Sequence, residues 1–594
     1  MNTIEDQITD ATLAAGQALF SVELTREKIQ IQPTRKEFDG EFTVVVFPLV
    51  KLAKKSPEET GKAIGDYLFK NFEWLEDMDV VKGFLNLKLK ASFWLNHLCE
   101  AAVNSDYGKA QPDSKPLVMV EYSSPNTNKP LHLGHLRNNF LGYSVAEILK
   151  AAGHTVKKVQ IINDRGIHIC KSMVAWSKFG NGETPESTGI KGDHLVGKYY
   201  VVFDKKYKEE VKQLLDAGKS QEEAERDAPL MVAARETLMK WEAEEPQTYA
   251  LWESMNQWVY SGFEKTYERM GVDFDQLYFE SQTWSVGKKY ALEALESGSF
   301  FKKSDGSVWV DLSDQGLDEK LILRKDGTAV YMTQDIGTAI LRYRDYPGLS
   351  KLVYTVGNEQ EYHFKVLFLI LQKLGYDWAK DCHHLSYGMV ELPEGKMKSR
   401  EGTVVDADDI MESMARTAEE ITEELGKLDG LEPKDRAELY EMIGIGALKY
   451  FLLRVDPKKN MLFNPEESID FNGHTGPFIQ YAYARIQSLL RNYGERPTKL
   501  KAEVELSQAE RRLQMKIYEY PKLIESAAAE YNPAQLANFL YDLAKDYGSF
   551  YQNFSVLKAE TEDLKEYRIL LSFAVGRILK SGMEILGIDV PEQM

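Results

Sequence analysis

The sequence predicts an α/β protein of several domains: a doubly wound domain with a parallel sheet and a helical insertion, a small α+β domain before it, and an all-α bundle after it. Three observations predict this. From Pro116 the chain reads strand, glycine turn, helix, strand (LVMVEY, the loop through His135, LRNNFLGYSVAEILKAAG, KKVQII), which is a parallel βαβ unit. A second unit, KLVYTVG followed by HFKVLFLILQKLG, comes after a long helical stretch, so two half-sheets are split by an insertion. Beyond Asp406 apolar residues recur at three- and four-residue spacing almost to the end, as in YEMIGIGALKYFLLR and FIQYAYARIQSLLRN.

Residues 1–112 form the expected N-terminal domain. It has a helical start, a strand TVVVFPLV, a helix opened by Ser56 and Pro57 with Glu59 in its first turn, and a strand GFLNLKL. The Gly- and Pro-containing stretch NSDYGKAQPDSKP then reads as a linker. The doubly wound domain is expected over 113–405, with the charge-dense helical insertion at about 176–278. Strands are expected to return at SVWVDL and AVYMT, and LSYGMVEL leads into a Lys-rich loop, EGKMKSREG. The remaining residues, 406–594, make the bundle.

Composition narrows the class. A chain of 594 residues with 43% hydrophobic and 11% aromatic residues can bury several cores. Its longest apolar runs, such as VVVFPLV, fall far short of the ~20 residues that span a bilayer. The acidic start MNTIEDQITD resembles no leader, so the cytoplasm is the expected location. Three scattered cysteines, Cys99, Cys170 and Cys382, fit free thiols. Adjacent residues on a strand cannot all face one ion, so Cys382-His383-His384 is not expected to bind metal and no metal site is assigned. A net charge of −19 argues against nonspecific coating of nucleic acid and leaves room for a local basic face. No heptad run announces a partner, so a monomer is expected.

The chemistry concentrates in His132-Leu133-Gly134-His135, placed between a strand and a helix, where free N–H groups and the helix dipole favour a phosphate. Alone, the tetrad fits a helix cap equally well. It sits within EYSSPNTNKPLHLGHLRN and is followed by IINDRGIH, YMTQDIG, GNEQEYH, GMVELPEGKMKSREG, TGPFIQYAYAR and a terminal LGIDVPEQM. In that order these segments resemble the signatures of the arginyl-tRNA synthetases, class I enzymes with a Rossmann-type catalytic domain, and the resemblance runs nearly the full length.

That resemblance implies a ligase that activates arginine with Mg-ATP and transfers it to tRNA(Arg), with no tightly bound cofactor and with tRNA needed before activation. It places ATP on His132, Gly134, His135, Gly388, Met389, Lys396, Met397, Lys398 and Ser399, and catalysis on His132, His135, Lys129 and Lys396. Arginine falls to Glu121, Ser124, Asn126, His135, Tyr331, Asp335 and Gln360. A guanidinium is a planar fork of donors, so Glu121 and Asp335 are its expected acceptors. Taken alone, Asp335 fits a helix cap and Tyr331 a core aromatic. The Lys-rich loop has Ser399 where the class usually carries a second lysine, and Lys129, just before the tetrad, is the expected substitute. The same loop could be merely solvated. For tRNA the resemblance implies an elbow contact through Phe84 and Asn86, and an anticodon contact through Phe478, Tyr481, Arg485 and Met594. Aromatic residues at the spacing of FIQYAYAR, Tyr483 among them, also fit a core. Another class I enzyme, or a binding protein descended from a synthetase, are the rival readings.

Overall fold

The computed structural model describes residues 3–21, 24–35, 37–391, 405–424, 432–494 and 504–594. At its centre is a five-stranded sheet in the spatial order Cys382–Tyr387, Leu349–Gly357, Lys115–Glu121, His154–Ile162, Gln276–Phe279, with every pairing parallel. The middle strand carries Val118, Met119 and Val120, all within 2% of full burial, as a strand covered on both faces requires. Its two neighbours come from opposite halves of the chain, so strand order reverses beside Glu121. Loops diverge at such a switch point and leave a crevice at the carboxyl ends of the strands. Helix Leu133–Ala151 makes the crossover from this strand to His154–Ile162.

The insertion is helical: Ile167–Phe179, Gly192–Asp216, Gln221–Asp227, Pro229–Glu242 and Pro246–Met270 are its longer helices. The N-terminal domain is a four-stranded antiparallel sheet, Gln30–Pro33, Phe42–Val45, Phe84–Leu89 and Leu75–Val81, backed by helices Ile4–Phe20 and Pro57–Asn71. Ser56 caps the second helix as expected, with Glu59 reaching back to its N–H at 3.1 Å. Arg511 of the bundle donates to Glu41 at 3.0 Å, to Glu76 at 2.6 Å and to the Leu89 carbonyl at 2.7 Å, which seats this domain on the far end of the chain.

Two expected strands are corrected. TVVVFPLV stops being a strand at Val45, because Pro48 cannot donate to a ladder and instead sits in the first turn of helix Phe47–Ala53. AVYMT opens helix Tyr331–Asp345 instead of forming a strand; the Thr333 hydroxyl accepts from the Val330 N–H at 3.3 Å and caps that start. Helix Ala91–Val103 fills part of the stretch before the expected linker. In the bundle Ala407–Glu424, Pro433–Leu453, Gly476–Tyr493, Gln508–Glu530, Pro533–Asn553 and Glu562–Ile585 are helical. Among the described residues no helix is long and apolar enough to cross a membrane.

Candidate active site

The histidine turn is built by reciprocal capping. His132 is the extended residue before helix Leu133–Ala151; its Nδ1 accepts from the Gly134 N–H at 3.2 Å, and His135 Nδ1 accepts from the His132 N–H at 3.1 Å. Leu133 and Leu136, both fully buried, pin the helix start to the core. The imidazoles lie 3.9 Å apart. Because each Nδ1 accepts, the proton of each neutral ring sits on Nε2, the nitrogen left to donate. Burial, reinforced by the Lys129 cation, pushes His132 down to about 4, and burial also holds His135 well below the usual histidine range. The cap therefore fixes both rings and their tautomer.

Gly388 and Met389 are brought to the same helix by Arg137, two residues past His135. Its guanidinium, 1% exposed, donates to the carbonyls of Gly388 at 2.6 Å, Pro457 at 3.2 Å and Lys459 at 2.9 Å, and lies 3.4 Å from that of Met389. Sequence reasoning missed Arg137. Lys129 is half-buried in the loop before the turn, and burial lowers its proton affinity. The expected ATP residues Lys396, Met397, Lys398 and Ser399 lie outside the described residues.

A cavity of about 240 Å³ opens at the carboxyl ends of the strands, walled by the loop that leads into the turn. Of the residues assigned to arginine, Asn126, Tyr331 and Asp335 meet in its lining, and Glu280, Arg165 and Gln334 join them unforeseen. Tyr331 and Asp335 share one face of their helix, and the Asp335 carboxylate holds His363 Nε2 at 2.6 Å, which raises that imidazole's proton affinity. Burial lifts Glu280 to about 7, with the Arg165 cation opposing. A glutamate opening a helix directly after the parallel strand Gln276–Phe279 stands at the carboxyl edge of the sheet, and that position was the available signal.

The other expected arginine ligands are placed differently. Glu121, 5% exposed, is absent from the cavity lining and is ion-paired through one carboxylate oxygen to the buried guanidinium of Arg342, the protein's own cation. Gln360 is exposed on a short turn and Ser124 presents its carbonyl to Asn163 at 3.1 Å; His135 and both of these stand outside the cavity lining.

At the expected tRNA surfaces, Phe84 packs edge-on to the half-exposed Phe47 at 5.5 Å. Asn86 is 2% exposed and accepts from the Thr43 hydroxyl at 2.6 Å; it shares a face with the half-buried Phe84 and Lys88, and strands on both sides, at Thr43 and Asp79, cover it. On helix Gly476–Tyr493, Arg485 lies over the Tyr481 ring at 4.8 Å and donates to its hydroxyl at 3.1 Å, and Phe478 packs against Tyr541 at 5.2 Å. Tyr483 is core, 3% exposed, with its hydroxyl donating to Glu592 at 2.9 Å near the half-buried Met594.

The comparisons agree along the chain. Residues 97–464 match the model of the class I (R) tRNA synthetase catalytic domain, 479–594 that of the DALR anticodon binding domain, and 2–89 that of the arginyl tRNA synthetase N terminal domain. The arginine-tRNA ligase of Bacteroides thetaiotaomicron is 55% identical over the whole of both chains, and that of Flavobacterium psychrophilum is 56% identical over 96% of this chain and 97% of its own. The solved arginyl-tRNA synthetase of Thermus thermophilus superposes over the whole of both chains with a TM-score of 0.79 at 27% identity. With three domain models in register and relatives identical at more than half of all positions, the chain belongs to the arginyl-tRNA synthetase family of class I aminoacyl-tRNA synthetases.

Proposed function

We infer that this chain is an arginine-tRNA ligase: it condenses arginine with ATP to arginyl-adenylate and pyrophosphate, then passes the arginyl group to the terminal ribose of tRNA(Arg). The observation that carries this is the cavity in which the Asp335 and Glu280 carboxylates converge beside the histidine turn. A guanidinium can be accepted by two carboxylates from two directions, with Tyr331 along its stem and Asn126 near its amino-acid end. A lysine ammonium would leave part of that acceptor set unpaired.

In the first step an oxygen of the arginine carboxylate bonds to the α-phosphorus, and the bond from that phosphorus to the bridging oxygen breaks, its electron pair leaving with pyrophosphate. Mg²⁺ enters as part of the ATP substrate. The two Nε2–H groups of His132 and His135 are fixed donors for charge that builds on the phosphate oxygens, and preorganised donors of this kind lower a barrier by about 2–4 kcal/mol each. Lys129 supplies a cation on the leaving side. In the second step the tRNA hydroxyl attacks the adenylate carbonyl, loses its proton, and AMP departs. The Phe84 region meets the tRNA elbow, and Phe478, Tyr481, Arg485 and the Met594 end face the anticodon loop. We place the enzyme in the cytoplasm as a monomer whose activation step awaits tRNA. Arginine-dependent exchange of labelled pyrophosphate into ATP, with and without tRNA, is the test; no exchange in either condition overturns the reading.

A further inference from the structure

Helix Gly192–Asp216 of the insertion begins against the back of the histidine turn. At Gly197 a Cβ would stand 2.9 Å from Pro130 Cδ and 3.6 Å from Lys129 Cα, so the helix and the turn are in contact there. Beside that contact is a cavity of about 210 Å³, bounded by Lys129, Leu131, His132, His194 and Asp406. Its other wall is the chain that follows the Lys-rich run in sequence. Asp406 bridges antiparallel to His132, and the Ala407 N–H donates to the Leu131 carbonyl at 3.0 Å. So short a ladder cannot fix an orientation by itself. Side chains from the insertion complete it. His194 Nε2 lies 3.2 Å from an Asp406 carboxylate oxygen and 3.4 Å from one of Asp408. Lys191 Nζ lies 2.6 Å from that same Asp408 oxygen and 3.1 Å from the fully buried Asp193, and it also donates to the Thr266 hydroxyl. Asp408 turns back to hold the loop, its N–H donating to Asp406 at 2.8 Å.

We propose that Lys191 and His194 are positioning residues for adenylate formation, clamping Asp406 and Asp408 so that the helical insertion sets the placement of the His132 imidazole. The proposal rests on the function inferred above. His194, Asp406 and Asp408 also have the spacing of a metal site, and the Lys191 ammonium, 2.6 Å from an Asp408 oxygen, already brings a cation to the cluster. The clamp also acts through charge. Burial and the Lys129 cation lower the proton affinity of His132, and the Asp406 carboxylate opposes them. The two carboxylates are engaged by Lys191 and His194, and a positioning role predicts an effect on kcat with little effect on Km.

The test uses the full-length enzyme and the arginine-dependent pyrophosphate exchange. His194→Ala is expected to lower kcat about tenfold with the Km for arginine within about twofold, since a small misplacement of a fixed donor slows chemistry without weakening distant contacts. His194→Gln, whose amide donates from a similar place, should recover part of the rate. Asp406→Asn should lower kcat similarly, and the His194→Ala, Asp406→Asn double variant should lose little more than either alone. Thermal midpoints are measured alongside. Unchanged kcat in His194→Ala overturns the proposal, as does a loss of kcat that tracks a fall in thermal midpoint with no recovery in His194→Gln. If the wild-type enzyme shows no exchange with arginine, the functional reading fails instead.

Discussion

The histidine turn and the acidic cavity are built in opposite ways. The turn is one contiguous tetrad whose backbone N–H groups fix both rings, and it keeps its histidines neutral. The cavity gathers its carboxylates from two separate helices, and one of them, Glu280, is poised to gain or lose a proton near neutrality. A turn held by adjacent residues keeps its groups neutral across the physiological range, whereas a cavity assembled from distant elements holds a group that titrates near neutrality and depends on the packing that brings its walls together.

If recognition depends on the converging carboxylates, Asp335→Asn should be the most damaging single change. Removing one half of a desolvated charge pair costs roughly 2–5 kcal/mol, so kcat/KM for arginine should fall on the order of 10³-fold. Steady-state exchange kinetics against arginine check this, and a loss under tenfold would leave Glu280 as the main acceptor. The turn side of the comparison is probed by Lys129→Ala, expected to reduce kcat by about 10²-fold with little change in the Km for ATP, because its cation faces charge that grows in the transition state. A rise in Km alone would make Lys129 a binding residue.

The pH contrast has its own test. An ionised Glu280 is the form that accepts a guanidinium, and its carboxyl lies near 7, so the Km for arginine should fall as pH rises from 6 to 8. In Glu280→Gln that slope should flatten and Km at pH 8 should rise about tenfold. The same shift has a sign for stability. A carboxyl raised in the folded state favours folding fully below its unfolded value, and that contribution is lost as pH climbs through about 7. Glu280→Gln should therefore raise the thermal midpoint more at pH 8 than at pH 5. The smallest effect is expected far from both sites. Tyr483→Phe removes one hydrogen bond to Glu592 and should cost about 1 kcal/mol of stability in denaturant titration, without altering exchange.

The same contrast explains what could be read from sequence. The βαβ units, the insertion and the bundle announce themselves through periodicity, and the turn through a run of neighbours. AVYMT misleads because local β-propensity is overridden by the Thr333 cap at a helix start, and FPLV because one proline ends the ladder. Glu121 could be placed on a strand, but its pairing with Arg342 depends on a helix from the other half of the domain, which no spacing rule connects to it. Arg137 and Arg165 sit inside the quoted runs LHLGHLRN and IINDRGIH, which do not say what either side chain touches, and Glu280 is a single residue without a flanking pattern, visible only once the sheet order shows which loop ends meet.

Arg137 sets a limit on how the protein can be divided. It carries a buried positive charge that makes no ion pair among the described residues and is satisfied by carbonyls on both sides of the expected boundary at 405: Gly388 before it, Pro457 and Lys459 after. A catalytic fragment cut at that boundary would strand part of a guanidinium's donors in the interior, at a penalty of several kcal/mol. The parts of this enzyme that look separable along the chain share a rivet, and a minimal adenylating fragment would have to carry the first helices of the bundle with it.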